Sequence, residues 1–163
     1  MELLIAGVDD AEELTRVEIE SKQQSLADII EPHEIDYQGR LYRWGTYFRA
    51  ESPQTSKPER MVFKAVINGR VVGYIAGHLT TRYNKDAEIQ SFYVLKAHQR
   101  KGLGQMLFLK FTAWLDTQNA KSLCVGIMPD NPYRAFYLKH GGQYLNLHWI
   151  YWDDVSKKVP VSN

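Results

Sequence analysis

The sequence predicts an α/β fold with a mixed, mostly antiparallel central sheet, one parallel pair within it, and flanking helices. Three observations carry this. Apolar runs at Met61–Ile67 and Val71–Leu79 flank Asn68-Gly69, which suits a two-residue hairpin because both positions of a type I′ turn need positive φ. Residues 102–118 set Leu103, Met106, Leu107, Phe111, Trp114 and Leu115 at helical spacing. The runs Ala87–Leu95 and Ser122–Ile127 bracket that helix, and strand, helix and strand in one sheet close as a right-handed parallel crossover.

In chain order, Glu2–Val8 is a short apolar run suited to a strand. Asp9 and Asp10 are followed three residues later by Glu12 and Glu13, a capping-box pattern whose acidic groups favour a helix N-terminus; Leu14 and Val17 continue its apolar stripe. Between residues 22 and 50, Ile35, Leu41, Tyr42, Trp44, Tyr47 and Phe48 predict one or two helices. Residues 52–58 hold two prolines among small polar residues and read as a surface loop. After the turn-prone Asn84-Lys85-Asp86 comes the Ala87–Leu95 strand. Asn131–His140 predicts a helix stopped by Gly141-Gly142, and Gln143–Leu147 and Trp149–Asp153 close as strands. Trp149, Tyr151 and Trp152 put aromatics on both faces of the last strand, for burial or for a dimer contact, so monomer and homodimer both stay open.

A chain of 163 residues fits one domain, expected to span 1–163, and 44% hydrophobic with 24% charged residues is ordinary for a soluble globular protein. Cys124 is the only cysteine, which excludes an intramolecular disulfide and suits a reducing compartment; in its apolar run it reads as a buried small hydrophobe. No apolar run approaches the roughly 20 residues that span a bilayer, and the first residues lack the basic start and apolar core of a signal peptide. A cytoplasmic protein without a membrane partner is expected. The five histidines show no metal-ligand spacing, so no metal is expected. A net charge of +1 argues against a nucleic-acid partner. That total hides an asymmetry: residues 1–36 hold 11 acidic and 2 basic residues, a net of −9, and the remainder nets +10.

The most informative segment is Gln99-Arg100-Lys101-Gly102-Leu103-Gly104, between a predicted strand and an amphipathic helix. The first turn of a helix carries unpaired N–H groups and a partial positive charge, glycines let a phosphate approach the backbone, and Arg100 and Lys101 add cations. A Walker loop would need a Gly-Lys-Ser/Thr ending that is absent. A dinucleotide fingerprint would need a third glycine where Leu107 stands. A coenzyme A site fits, and so does a glycine turn that only shapes the strand-to-helix connection.

The run from Val94 to Gly104 resembles the acetyl-CoA motif of the GNAT superfamily of N-acetyltransferases: a strand ending in an apolar residue, a loop, then Gln/Arg-x-x-Gly-x-Gly/Ala. Asn131-Pro132-Tyr133-Arg134-Ala135-Phe136-Tyr137 resembles the family's Asn-Pro-x-Arg-x-Phe-Tyr helix. The close match covers residues 87–142, whereas residues 20–55 match nothing specific. The resemblance implies the GNAT fold, with the parallel pair splayed at the coenzyme site, and acetyl-CoA as cosubstrate. By the same resemblance the amides of Gln99, Arg100, Lys101, Gly102, Leu103, Gly104 and Gln105 hold the pyrophosphate. Main-chain groups of Phe92, Tyr93 and Val94 take the pantetheine arm, a main-chain N–H near Val94 polarises the thioester carbonyl, and Asn131 contacts the arm from the side.

Acetyl transfer to an amine poses two proton problems. An alkyl ammonium has a pKa near 10, so only about one molecule in a thousand is neutral at pH 7, and the leaving thiolate must gain a proton. The resemblance implies Glu88 as the base, acting directly or through water; an exposed strand carboxylate or an ion pair explains it equally well. It also implies Tyr137 as the acid that protonates the thiolate. Arg134 suits either a coenzyme phosphate or a solvated helix face. His33 and His78 are weaker candidates near the acceptor. The expected reaction is direct attack of a primary amine in a ternary complex. The acidic first 36 residues favour a small cationic amine; a protein N-terminal or lysine amine, or a coenzyme-binding module without turnover, are the alternatives.

Overall fold

The chain forms, in order, β1 (Glu2–Ile5), α1 (Ala11–Ser25), α2 (Tyr37–Phe48), β2 (Ser56–Ile67), β3 (Arg70–Thr80), β4 (Ala87–Val94), α3 (Leu103–Thr117), β5 (Leu123–Gly126), α4 (Arg134–Lys139), β6 (Gln143–Asn146) and β7 (Trp149–Trp152). A computed structural model describes residues 1–157; residues 158–163, the end of the expected single domain, lie outside the described residues. One seven-stranded sheet runs in the order β1-β2-β3-β4-β5-β7-β6. Every neighbouring pair is antiparallel except β4 and β5. The predicted mixed sheet with its parallel pair is therefore observed.

Local chemistry explains most boundaries. Asn68 and Gly69 have φ of 52° and 76°, the two positive values that the β2–β3 turn requires. The helix start after β1 differs from the expected capping box: Asp10 reaches back to the Gly7 amide at 2.9 Å and pairs with Lys64 at 2.6 Å. Residues 22–50 resolve into the end of α1, a turn and α2, whose first turn is capped by Asp36 accepting from the Gly39 amide at 3.1 Å. The expected 52–58 loop is shorter, because β2 already begins at Ser56. The predicted Asn131–His140 helix contracts to six residues, since Asn131 Oδ1 accepts from the Tyr133 amide in a turn that precedes it.

Helices cover both faces of the sheet, so β3 is buried along nearly its whole length. On one face Leu14, Val17, Trp44, Tyr47, Tyr74 and Ala76 pack together; on the other, Ile75, Leu107, Phe111, Leu115 and Ile150. Burying each such large side chain contributes about 1.5–3 kcal/mol. Alternation along β3 sends Tyr74, Ala76 and His78 toward α1 and α2 and leaves Gly77 under α3. A Cβ on Gly77 would lie 2.2 Å from Phe111 Cζ, so glycine is what lets that ring lie against the strand.

The feature that makes the site is on β4. It pairs with β5 only through Ala87, Glu88 and Ile89. Against β3, Ala76 faces Ser91 and Gly77 faces Ile89, which leaves Gln90 as an extra, unpaired residue. Such a bulge bends its strand. Beyond it β5 is no longer paired to β4, and residues 90–94 turn from buried to partly exposed.

Candidate active site

Two cavities meet on this opened stretch of β4. A gap of about 210 Å³ lies between the parted strands, walled by Phe92 and Tyr93 of β4, Val125 and Gly126 of β5, and Asn131 and Tyr137. A groove of about 230 Å³ lies on the neighbouring face, walled by Glu18 and Lys22 of α1 and Arg40, Arg43, Trp44 and Tyr47 of α2. Glu34, Gln90, Ser91 and Tyr93 border both. The bulge residue thus sits where the two spaces adjoin.

At the far end of the gap, β4 passes through a short turn into α3. Arg100 and Gly102 have φ of 63° and 84°. A Cβ on Gly102 would touch nothing within 4 Å, so its glycine serves the left-handed backbone rather than space; a Cβ on Gly104 would meet Phe136 at an ordinary contact of 3.5 Å. The amides from Lys101 to Gln105 donate to no group among the described residues, as the first turn of a helix requires. Arg100 and Lys101 are exposed beside them. This row of free donors, with two cations, is a ready anion cradle.

Gln99 is not part of that row. Its amide donates to Lys96 O at 3.2 Å, its side-chain Nε2 donates to the Val94 carbonyl at 2.8 Å, and its Oε1 accepts from Tyr133 at 3.0 Å. It therefore ties the end of β4 to the segment before α4. Arg134 likewise folds back on the Pro129 carbonyl and covers the Tyr144 ring, so its guanidinium supports a loop.

Tyr137 projects from α4 into the gap. Its ring is held edge-on by Phe92, Phe136 and Trp152, at centroid distances of 6.4, 5.6 and 5.9 Å. Its hydroxyl makes no hydrogen bond among the described residues, and burial pushes the phenol well above its ordinary pKa. A protonated, unengaged O–H donor in the gap is the result.

Glu88 takes the ion-pair place that the sequence allowed beside a role as base. It is 2% exposed and borders neither cavity. Its Oε2 lies 2.9 Å from His78 Nε2 and its Oε1 lies 2.7 Å from Arg82 Nε. His78 Nδ1 in turn lies 2.9 Å from the Tyr47 hydroxyl, and Tyr47 walls the groove. Cross-strand register creates the pair, since His78 and Glu88 are directly opposite on β3 and β4. The sequence offered histidine and glutamate ten residues apart, which signals nothing until the register is known. Cys124, opposite Glu88 on β5, is fully buried, and desolvation pushes its thiol up to about 12, which keeps it inert.

Several acidic residues of the first 36 are engaged away from the groove. Asp10 pairs with Lys64, and Glu13 and Glu20 pair with Arg16. Glu34 accepts from the Glu31 amide at the start of a short helical turn, and Asp36 from the Gly39 amide at the start of α2. Glu18 does reach the groove, but there Lys22 at 2.6 Å and Arg40 at 3.5 Å surround it, with Trp44 Nε1 donating at 3.2 Å. The groove wall carries three cations, Lys22, Arg40 and Arg43, against two carboxylates, Glu18 and Glu34.

No group of three or more candidate metal ligands occurs among the described residues, and none of their helices is long and apolar enough to cross a membrane.

Comparison with known proteins adds an independent finding. The profile of the acetyltransferase (GNAT) family matches residues 18–142, from mid-α1 through α4. No curated protein matches the sequence. Among solved structures, an acetyltransferase from Thermus thermophilus is similar at 22% identity and a TM-score of 0.74, over 93% of this chain and 97% of that one. The PaiA N-acetyltransferase of Thermoplasma acidophilum, in complex with coenzyme A, is 18% identical, with a TM-score of 0.71 over 93% and 98% of the two chains. A GNAT family acetyltransferase from Brucella melitensis, in complex with acetyl-CoA, is 16% identical, with a TM-score of 0.65 over 99% and 92%. At these identities the likeness is one of fold.

Proposed function

The chain belongs to the acetyltransferase (GNAT) family, and on that premise we propose that its 163 residues form one domain that transfers an acetyl group from acetyl-CoA to a primary amine by direct attack in a ternary complex. The observation that carries the reading is the unpaired row of amides from Lys101 to Gln105 at the end of the opened β4. Acetyl-CoA brings a pyrophosphate for that row, an arm with amides for the main chain of Phe92 and Tyr93, and a thioester for an amine to open. Asn131 borders the arm's path. Val94 contributes through its position at the gap's end, its carbonyl already accepting from Gln99. Two of the structural relatives hold coenzyme A or acetyl-CoA, which supports the same use of the gap.

Tyr137 is the acid. Its hydroxyl stays protonated and unengaged inside the gap, where a leaving sulfur needs a donor. Glu88 is the terminal carboxylate of a buried chain rather than a group in contact with the amine. The amine enters through the groove, whose free edge joins the gap at Gln90 and Ser91. With its acidic residues paired, the groove favours an amine that also carries a carboxylate or phosphate, in place of the cationic amine that the charge count suggested.

The test is a matched set of primary amines: ethanolamine, O-phosphoethanolamine, putrescine and glycylglycine, each incubated with acetyl-CoA. Thiol release with an acetylated amine in the mass spectrum, strongest for the anionic acceptors, is expected. Putrescine as the preferred substrate would overturn the charge assignment, and no thiol release with any amine would overturn the transferase reading.

A further inference from the structure

We propose that Tyr47, His78 and Glu88 form a proton relay that deprotonates the acceptor ammonium in the groove and carries the proton to a buried imidazole; the proposal rests on the transferase reading above. The geometry is continuous. Tyr47 walls the groove, its hydroxyl lies 2.9 Å from His78 Nδ1, and His78 Nε2 lies 2.9 Å from Glu88 Oε2. His78 is fully buried and Glu88 nearly so, and neither touches either cavity. Of the three, only Tyr47 borders a cavity.

The direction of each bond follows from the groups themselves. An ionised carboxylate only accepts, so His78 Nε2 carries the hydrogen that Glu88 receives. Nδ1 is then the acceptor, and the Tyr47 hydroxyl donates to it. This is the order of a nucleophile, imidazole and carboxylate triad, with a phenol at the head in place of a serine. Burial holds the Tyr47 phenol far above its ordinary pKa, so it takes up a proton only by releasing its own. In the step, an ammonium N–H bond breaks and its proton joins Tyr47 Oη. The Tyr47 O–H bond breaks in concert, and that proton joins His78 Nδ1. The amine is left neutral and His78 becomes an imidazolium beside Glu88. Acetyl transfer releases one proton net to water, and it leaves along the same path after the product.

The charged and titratable neighbours of His78 come from every element around it. Arg60 lies opposite it on β2, and its guanidinium covers the Tyr47 ring at 4.7 Å. Arg82 follows β3, Glu88 lies on β4 and Cys124 on β5. Tyr47 and His78 touch edge-to-face at 5.6 Å, so the ring's packing persists without its hydroxyl. By this account Tyr47 is a catalytic residue, because it meets the amine, and His78 and Glu88 are positioning residues that act through it.

The experiment is Tyr47→Phe, with His78→Gln as a second variant, assayed from pH 7 to 10 with acetyl-CoA and O-phosphoethanolamine. The expected result is a kcat lowered about 10²-fold at pH 7 with KM for acetyl-CoA unchanged. The loss should shrink to about two-fold near pH 10, where the free amine is already neutral. A loss that is the same at every pH would mark a structural role and overturn the relay, as would wild-type turnover in Tyr47→Phe at pH 7. Wild-type protein that releases no thiol with any of the four amines above would instead contradict the transferase reading itself.

Discussion

The gap and the groove adjoin on one strand but are built from different material. The gap's anion cradle is backbone: free amides from Lys101 to Gln105, held open by a left-handed Gly102 and by Gln99 tying down the strand end. The groove is side chain: Glu18 between Lys22 and Arg40, Arg43 at the edge, and Tyr47 in front of His78 and Glu88. A backbone site must satisfy φ, spacing and an absence of Cβ, so it leaves a short local motif. A side-chain site satisfies only distance and charge, which any pair of elements can meet.

Four substitutions break or sharpen that contrast. The largest effect is expected for Tyr137→Phe, which removes from the gap the hydroxyl donor that no described residue engages. It should lower kcat about 10²-fold while leaving KM for acetyl-CoA near wild type, read by steady-state thiol release. Because burial raises the Tyr137 phenol above 10, the neutral donor form persists through that pH, and the wild-type rate should show no alkaline limb from this group below pH 10. Gly102→Val acts on the backbone alone. Forcing a β-branched residue to positive φ costs about 1–2 kcal/mol, so the free turn should relax to negative φ, and restoring it should make acetyl-CoA bind about ten-fold more weakly by calorimetry, with the groove unaffected. Arg43→Ala acts on the groove alone and should raise KM for O-phosphoethanolamine about five-fold, a partly screened contact, without changing KM for acetyl-CoA.

The smallest effect tests the clamp at the base of β4 and β5. Asp86 accepts from the amides of Ser122 and Lys121 at 3.0 and 2.9 Å and so clamps the start of β4 to the start of β5. Those backbone bonds lower its pKa from the ordinary aspartate value, the Ser122 amide first. A depressed carboxylate stabilises the fold above its unfolded pKa of about 3.9 and loses that contribution as pH falls through its folded value. Asp86→Asn should therefore lower Tm by about 2–4 °C at pH 7, with the difference from wild type vanishing in strong acid.

What could be read from the sequence follows the same division. The β4–α3–β5 crossover and the Asn68-Gly69 hairpin were legible because periodicity and turn chemistry are local. The glycine turn was legible for the same reason. The Gln90 bulge was not, since a bulge is a mismatch between two strands and exists only once Ala76 meets Ser91 and Gly77 meets Ile89. The His78–Glu88 pair was hidden in the same way. Glu18 and Lys22, four apart on α1, could be paired on paper, but nothing local says that Arg40 and Trp44 close over them from another helix. The charge asymmetry was real in the count, but a residue tally does not show that Asp10, Glu13 and Glu20 are each paired with a cation.

The central claim is that acetyl-CoA occupies the backbone-built gap and leaves the side-chain groove free for the amine. Titration of acetyl-CoA into ¹⁵N-labelled protein tests it residue by residue. The account predicts large amide shifts from Lys101 to Gln105 and along Phe92 and Tyr93, with Arg40, Arg43 and Tyr47 on α2 little changed. Shifts concentrated on α2, with residues 101–105 unmoved, would contradict it.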